Sequence, residues 1–274
     1  MTAILHGDFN YERIYRDSFF SMTNLNLFDY YYGIYLLLSG ERKFFIDGKI
    51  YLLSGNDLLF IDKNVLHKST YCTNTPHERI LIKFTPAFIE ELIKILGIKQ
   101  FNFLFKTAHF HLEEPLLSKV LDLFQEMESE FHQKMSCSQL MLKSYLNQLI
   151  IHLSRSNNLS KKSPIALSKE ESYIIWCINY IEQHYALDPS LNEIAQMLYL
   201  SPSYVSKLFK KVTGFNYSTY LTNIKLKHAK DLLITTEKSI AQISEECGFS
   251  NSNYFCDVFK KTNHQAPSIF RQQR

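Results

Sequence analysis

The apolar and polar positions of this chain follow two rhythms, and the change comes near residue 85. Before it, short apolar stretches are separated by turn residues. Tyr32 to Leu38 is bounded by Ser39-Gly40. Lys43 to Leu53 carries Asp47-Gly48 between two apolar runs, a strong hairpin signal. Gly55-Asn56-Asp57 precedes Leu58 to Ile61, and Glu78 to Phe84 is a further apolar run. Several short strands at this spacing predict a small barrel or sandwich. Leu36-Leu37-Leu38 is apolar at consecutive positions, so alternation does not assign its inward face.

After residue 85 the period becomes helical. Pro86 opens a segment with Phe88, Ile89, Leu92, Ile93 and Leu96 on one face. Helices are predicted over roughly 115–132 and 137–154. The broad apolar face of the second either covers the barrel or forms a dimer seam. The polar stretch 154–167 is the best linker. Beyond it Ser168-x-x-Glu171, Ser190-x-x-Glu193 and Ser239-x-x-Gln242 have capping-box form, and Ser201-Pro202 places a cap before a first-turn proline.

A pattern then occurs twice. Residues 191–214 and 239–264 each read as a short amphipathic helix, a turn, and a second helix ending in Phe-Lys-Lys. Tyr204 to Lys211 aligns with Tyr254 to Lys261. This is the form of a helix-turn-helix, which places its second helix in a DNA major groove. Tyr217 to Leu233 joins the copies as one amphipathic helix of ~25 Å, a span suited to setting two such helices about one DNA turn (~34 Å) apart.

Composition narrows the setting. The chain of 274 residues is long enough for two domains, and 46% hydrophobic against 21% charged residues is a globular balance. Net charge is +3. Residues 160–274 hold 14 Lys and Arg against 10 Asp and Glu, and residues 1–159 hold 16 against 17. That excess is small and gains weight only where it coincides with the repeat. The longest apolar run, Tyr30 to Leu38, is too short for a bilayer, and no signal peptide is expected. Five scattered cysteines without Cys-x-x-Cys suggest a reducing cytoplasm.

The C-terminal residues resemble the AraC/XylS family of bacterial transcription regulators. The resemblance covers roughly 170–271 and rests on Leu191-x-x-Ile194-Ala195, on Ser201-x-Ser203-Tyr204 leading to Leu208-Phe209-Lys210-Lys211-x-x-Gly214, and on Ile224-x-Leu226-x-x-Ala229-x-x-Leu232-Leu233. It continues with Ile240-x-x-Ile243, Gly248-Phe249, Tyr254-Phe255-x-x-x-Phe259-Lys260-Lys261 and Pro267-x-x-Phe270-Arg271. His264 departs from the pattern where Gly214 stands in the first copy. Less specifically, Gly40 through Gly55-Asn56-Asp57-Leu58 to His67 is similar to the family's cupin-like sensor domain.

The resemblance implies an α+β chain with a cupin-like β-barrel and flanking helices over 1–160, and an all-α DNA-binding domain over 168–274 with motifs at 191–211 and 240–261. By the family's pattern, bases are contacted by Ser203, Ser206 and Lys207 in the first motif and by Ser252, Asn253, Cys256 and Asp257 in the second. Each of these is also an ordinary solvated position of an amphipathic helix. Lys210, Lys211, Lys260, Lys261 and Arg271 are the phosphate partners, although cations also suit a helix C-terminus. Asp257 is unusual, because many relatives carry a basic residue there. Tyr31, Tyr35 and His67 are candidates for effector contact, with packed core as the plain alternative. No cofactor is expected. Residues 32–46 lack histidine, so the cupin metal site is expected to be absent, and His109-x-His111 reads as two neighbours on one strand face. The implied partners are promoter DNA, RNA polymerase, a small-molecule effector and a second copy of the chain, with no membrane. Activation is the commoner outcome in the family. The competing readings are a regulator controlled by another protein and a cupin enzyme fused to a DNA-binding module.

Overall fold

A computed structural model of the chain describes residues 7–17, 26–27, 31–46, 49–63, 65–72, 75–107, 109–156, 160–161 and 167–272. The chain divides into two compact units, with the boundary between residues 165 and 166.

The first unit contains β1 (Phe9–Arg16), β2 (Asn26–Leu27), β3 (Tyr32–Ser39), β4 (Arg42–Ile46), β5 (Lys49–Leu53), β6 (Asp57–Ile61), β7 (Leu66–Tyr71) and β8 (His77–Phe84). A 3-10 turn at Pro86–Ile89 leads to α1 (Glu90–Leu96) and α2 (Ile98–Thr107), then β9 (His109–His111), α3 (Leu116–Gln133), α4 (Ser138–Arg155) and β10 (Ser160–Lys161). One sheet has the order β1-β8-β3-β6-β9-β10 and the other β2-β7-β4-β5, and every pairing among the described residues is antiparallel. The expected hairpin pairs Ile46 with Lys49, while Asp47-Gly48 itself lies outside the described residues.

The centre of the larger sheet, β3 and β6, is buried on both faces. Ile34, Leu36, Leu58, Phe60, Ile80 and Ile82 pack with the helices, including Leu104, Phe124, Leu146 and Leu149. Tyr35, Leu37, Leu59, Ile61 and Leu81 face Phe44, Ile46, Tyr51 and Leu53 of the smaller sheet. This explains the unbroken Leu36-Leu37-Leu38 run, because a strand covered on both sides has no polar face to alternate with. It also settles the two readings of α4, whose Leu142, Leu146, Leu149, Ile150 and Leu153 join the core against the sheet. The linker expectation changes in part: α4 runs to Arg155, and β10 pairs with β9 inside the stretch. Residues 157–159 and 162–166 lie outside the described residues.

The second unit is helical: α5 (Lys169–His184), α6 (Leu191–Met197), α7 (Pro202–Thr213), α8 (Tyr217–Thr235), α9 (Ile240–Glu246), α10 (Ser252–Asn263) and α11 (Pro267–Arg271). All three capping boxes form, at Ser168, Ser190 and Ser239. Each satisfies helix-end donors that would otherwise face water or nothing. Ser201 caps α7 before Pro202, and Gly214 ends it in the left-handed region at φ 87°. His264 takes the matching place after α10 at φ 59°, so the fold keeps the geometry without glycine. In the second motif Ile243, Cys247, Phe255, Phe259 and Phe270 bury against Leu226, Ala229 and Leu233 of α8.

Gly248, in the turn between α9 and α10, sits at φ +72°, and a Cβ there would lie 2.4 Å from the Ala186 carbonyl oxygen. Both backbone angle and space exclude a side chain. Gly248→Ala should therefore destabilise the second unit by about 1–3 kcal/mol. Urea unfolding followed at Trp176, the single tryptophan, reports on that unit. An unchanged midpoint would contradict the close approach.

Candidate nucleic-acid interface

The amphipathic rhythm of α7 buries Val205, Leu208, Phe209 and Thr213 and leaves a continuous polar face. Ser203, Lys207, Lys210 and Lys211 are exposed on it, and Ser206 is half-buried at its edge. α10 repeats the arrangement. Phe255, Phe259 and Asn263 are buried, Asn253, Asp257, Lys260 and Lys261 are exposed, and Ser252 and Cys256 are half-buried. Asn251 caps α10 by accepting from the Tyr254 N–H at 2.8 Å. The short polar side chains sit in the first turns and the lysine pairs in the last, where cations suit the helix dipole.

Among the described residues no ion pair holds Lys207, Lys210, Lys260 or Lys261, so their charges face solvent. Lys211 differs. Its Nζ lies 3.2 Å from Oε2 of Glu170 on α5, whose Oε1 accepts from the Tyr204 hydroxyl at 3.3 Å. Both partners are largely exposed, so this pair contributes little stability. Arg271 donates from Nη2 to the Lys238 carbonyl at 2.5 Å and braces α11 against the α8–α9 connection.

The two motifs are joined by a contact that sequence reasoning missed. Lys225, on the buried side of α8, donates to Asp188 Oδ1 at 2.5 Å and to the Gly248 carbonyl at 2.6 Å. Asp188 lies just before α6 of the first motif, and Gly248 is in the turn of the second. The ammonium also lies 5.5 Å from the Phe249 ring centroid. Beside it Tyr185 stacks on His228 at 4.0 Å. A lysine interrupting the apolar face between Leu221 and Ala229 was the available sequence signal.

In the first unit, Tyr31, Tyr35 and His67 all border the space between the sheets. Tyr31 is partly buried against that core, with its hydroxyl 3.4 Å from the Gly7 carbonyl. Tyr35 is buried beside Arg42 and Arg79, and burial pushes its hydroxyl up to about 12. Arg42 donates to the Ser69 hydroxyl at 2.6 Å. His67 is buried with Nδ1 3.0 Å from the Val65 carbonyl, so that nitrogen carries the proton. The histidines of β9 do not project freely. His111 Nδ1 lies 2.6 Å and His109 Nε2 3.0 Å from the two oxygens of buried Asp57, which also accepts from the Ser54 N–H at 2.8 Å. Among the described residues no group of three or more His, Cys, Asp or Glu is arranged to hold a metal ion.

A family model described as an AraC-like ligand binding domain matches residues 11–150, and one described as a helix-turn-helix domain matches residues 194–273. The regulatory protein PocR of Salmonella typhimurium is 34% identical over 132 residues, 48% of this chain and 44% of PocR. The match thus spans less than half of that relative's length. The Msm operon regulatory protein of Streptococcus mutans is 27% identical over 88% of this chain and 84% of its own. The transcriptional activator RhaS of an Enterobacter species is 23% identical over 89% of this chain and 86% of its own.

Two predictions follow from these sites. Lys225→Met keeps the side-chain volume but leaves the Gly248 carbonyl without its donor, and should lower the stability of the second unit by about 1–3 kcal/mol in urea. An unchanged midpoint would mean that the ammonium adds nothing net. Burial lowers His67 to about 4 from 6.5, and His77 is likewise lowered to about 4 by burial and by Arg42, Arg79 and Arg16. The unfolded chain therefore binds more protons between those values, and stability is lost as pH falls from about 6.5 towards 4. Hydrogen-exchange protection of β7 and β8, corrected for intrinsic rates, should fall across that window. His67→Asn should make the fall shallower; an identical slope would remove His67 from the account.

Proposed function

The chain belongs to the AraC family, and on that premise we propose that it is a sequence-specific, DNA-binding regulator of transcription whose first unit binds a small-molecule effector. The observation that carries this is the pair of polar faces on α7 and α10, solvent-facing and built alike, on two motifs joined by a single 19-residue helix. At 1.5 Å per residue that helix spans ~28 Å, close to the ~34 Å of one DNA turn. Ser203, Ser206 and Lys207, with Ser252, Asn253, Cys256 and Asp257, are the proposed base readers. The four unpaired lysines, joined by Lys211 when it leaves Glu170, are the proposed phosphate partners. Arg271 stands behind them as a helix brace.

The effector is proposed to lie between the two sheets, among Tyr31, Tyr35 and His67. The ligand-binding model that covers this unit and the polar groups pointing into its core support that placement. An activating role, contact with RNA polymerase, self-association and a cytoplasmic location belong to the same proposal. The name of RhaS as an activator supports the first. No helix among the described residues is long and apolar enough to cross a membrane. A catalytic role has no support from the relatives, which are regulators.

Footprinting of the full chain on a promoter fragment should show two protected clusters about one helical turn apart per monomer. Lys207→Ala should relax preference at one base position rather than weaken every sequence alike. A single protected cluster would leave the second motif a structural element.

A further inference from the structure

The two helix-turn-helix turns share one backbone and differ in one side chain. In the second motif the Gly248 N–H donates to Glu245 O at 2.8 Å and the Phe249 N–H to Ser244 O at 3.0 Å. In the first, the Tyr199 N–H donates to Gln196 O at 3.0 Å and the Leu200 N–H to Ala195 O at 2.9 Å. Tyr199 therefore occupies the place of Gly248, with a left-handed φ of 55°. For a bulky residue that conformation is an outlier and carries strain.

Packing does not repay the strain. Gly248 is forced by the Ala186 carbonyl above it, whereas Tyr199 is 96% exposed and its ring touches nothing that would hold it. Glycine in this turn would remove the backbone strain and an apolar ring from water. A strained, solvent-projected tyrosine is what remains when its partner is outside the chain. Tyr199 is two residues before Ser201, the cap of α7. At 3.3–3.6 Å per residue its Cα lies within ~7 Å of the end that enters the groove, so its side chain reaches the groove rim, where phosphates run. Tyrosine hydroxyls are regular phosphate donors.

We propose that Tyr199 is a backbone anchor of the first motif, donating its hydroxyl to a DNA phosphate beside the groove occupied by α7. The second motif has no counterpart, because Gly248 carries no side chain. The inference rests on the DNA-reading function proposed above. A hydroxyl releases no counterion, so this contact adds affinity without adding to the salt dependence, unlike the lysine contacts.

The test uses the full chain, a duplex of about three helical turns selected by it from a random pool, and a scrambled duplex of the same composition. Tyr199→Phe and Tyr199→Gly should each weaken both duplexes about two- to tenfold, with the slope of log affinity against log salt unchanged. Tyr199→Gly should at the same time keep or raise the melting temperature, because it relieves the strained φ. Lys210→Ala, in contrast, should flatten the salt slope. Full affinity in both variants would overturn the proposal and leave Tyr199 a tolerated outlier. Loss on the selected duplex alone would make Tyr199 a base reader and also overturn it. A fall in melting temperature that tracks the affinity of Tyr199→Gly would assign the residue to the fold. Wild-type chain that binds neither duplex would remove the regulator reading itself, an outcome separate from equal binding by wild type and variants.

Discussion

The arrangement of the second unit depends on one buried ammonium group. Lys225 is on the helix that connects the motifs, and its two hydrogen bonds go to the loop before the first and the turn of the second. Hydrophobic packing fixes each motif internally, since Ile194, Val205 and Phe209 close one and Ile243, Phe255 and Phe259 close the other. Packing is not directional, however, and leaves the angle between two such bundles weakly defined. A charged donor with two fixed acceptors has a direction. Asp188 is largely exposed, so the Gly248 carbonyl and the Phe249 ring confine the ammonium on its inner side. Gly248 thus serves twice: its carbonyl receives Lys225, and its missing side chain lets the turn approach Ala186.

In the first unit the constraint is a sheet covered on both faces. The helices take one face and the smaller sheet the other, so its central strands β3 and β6 are apolar at nearly every position. Some of the polar side chains that enter the space between the sheets are held. Asp57 is hydrogen-bonded to Ser54 and His111, with His109 Nε2 3.0 Å away, and Arg79 pairs with Glu12. β9 also pairs with β10, the last strand of the unit. A group that displaced the histidines from Asp57 would act on a strand only three residues long, and through it on β10.

Local signals were legible wherever the chemistry was local. The capping boxes at Ser168, Ser190 and Ser239, the Ser201-Pro202 start and the left-handed ends at Gly214 and His264 need only a few neighbouring residues, and the structure forms all of them. What escaped depended on distant partners. β1 carries Glu12, Arg13 and Arg16 and does not look like a strand, because its charges are answered 65 residues or more away by Glu78, Arg79 and Glu128. The stretch from Pro86 to Leu96 forms a 3-10 turn and then α1, and α2, which begins after Gly97 at φ 80°, was not expected. Lys225 interrupts an apolar helix face, and only the fold brings Asp188 and Gly248 to it. The residues of α7 and α10 were placed by the repeat, but the tie between Lys211 and Glu170 needed the position of α5.

Equal folds with unequal surfaces imply unequal work by the two motifs. The exposed face of α7 carries Lys207, Lys210 and Lys211 and no carboxylate, and the turn before it presents Tyr199. The face of α10 carries Lys260 and Lys261, but Asp257 stands one turn ahead of Lys261 on the same side. On the proposed reading, that carboxylate opposes attraction to phosphates at every sequence, and is favourable only where a base amino group, such as that of cytosine, can donate to it. Both motifs carry base readers on this proposal, and the second adds a carboxylate that phosphates oppose. On that reading, with both motifs tied to α8, the lysines of the first offset the repulsion at the second, and a base without an amino donor leaves Asp257 facing phosphates unanswered.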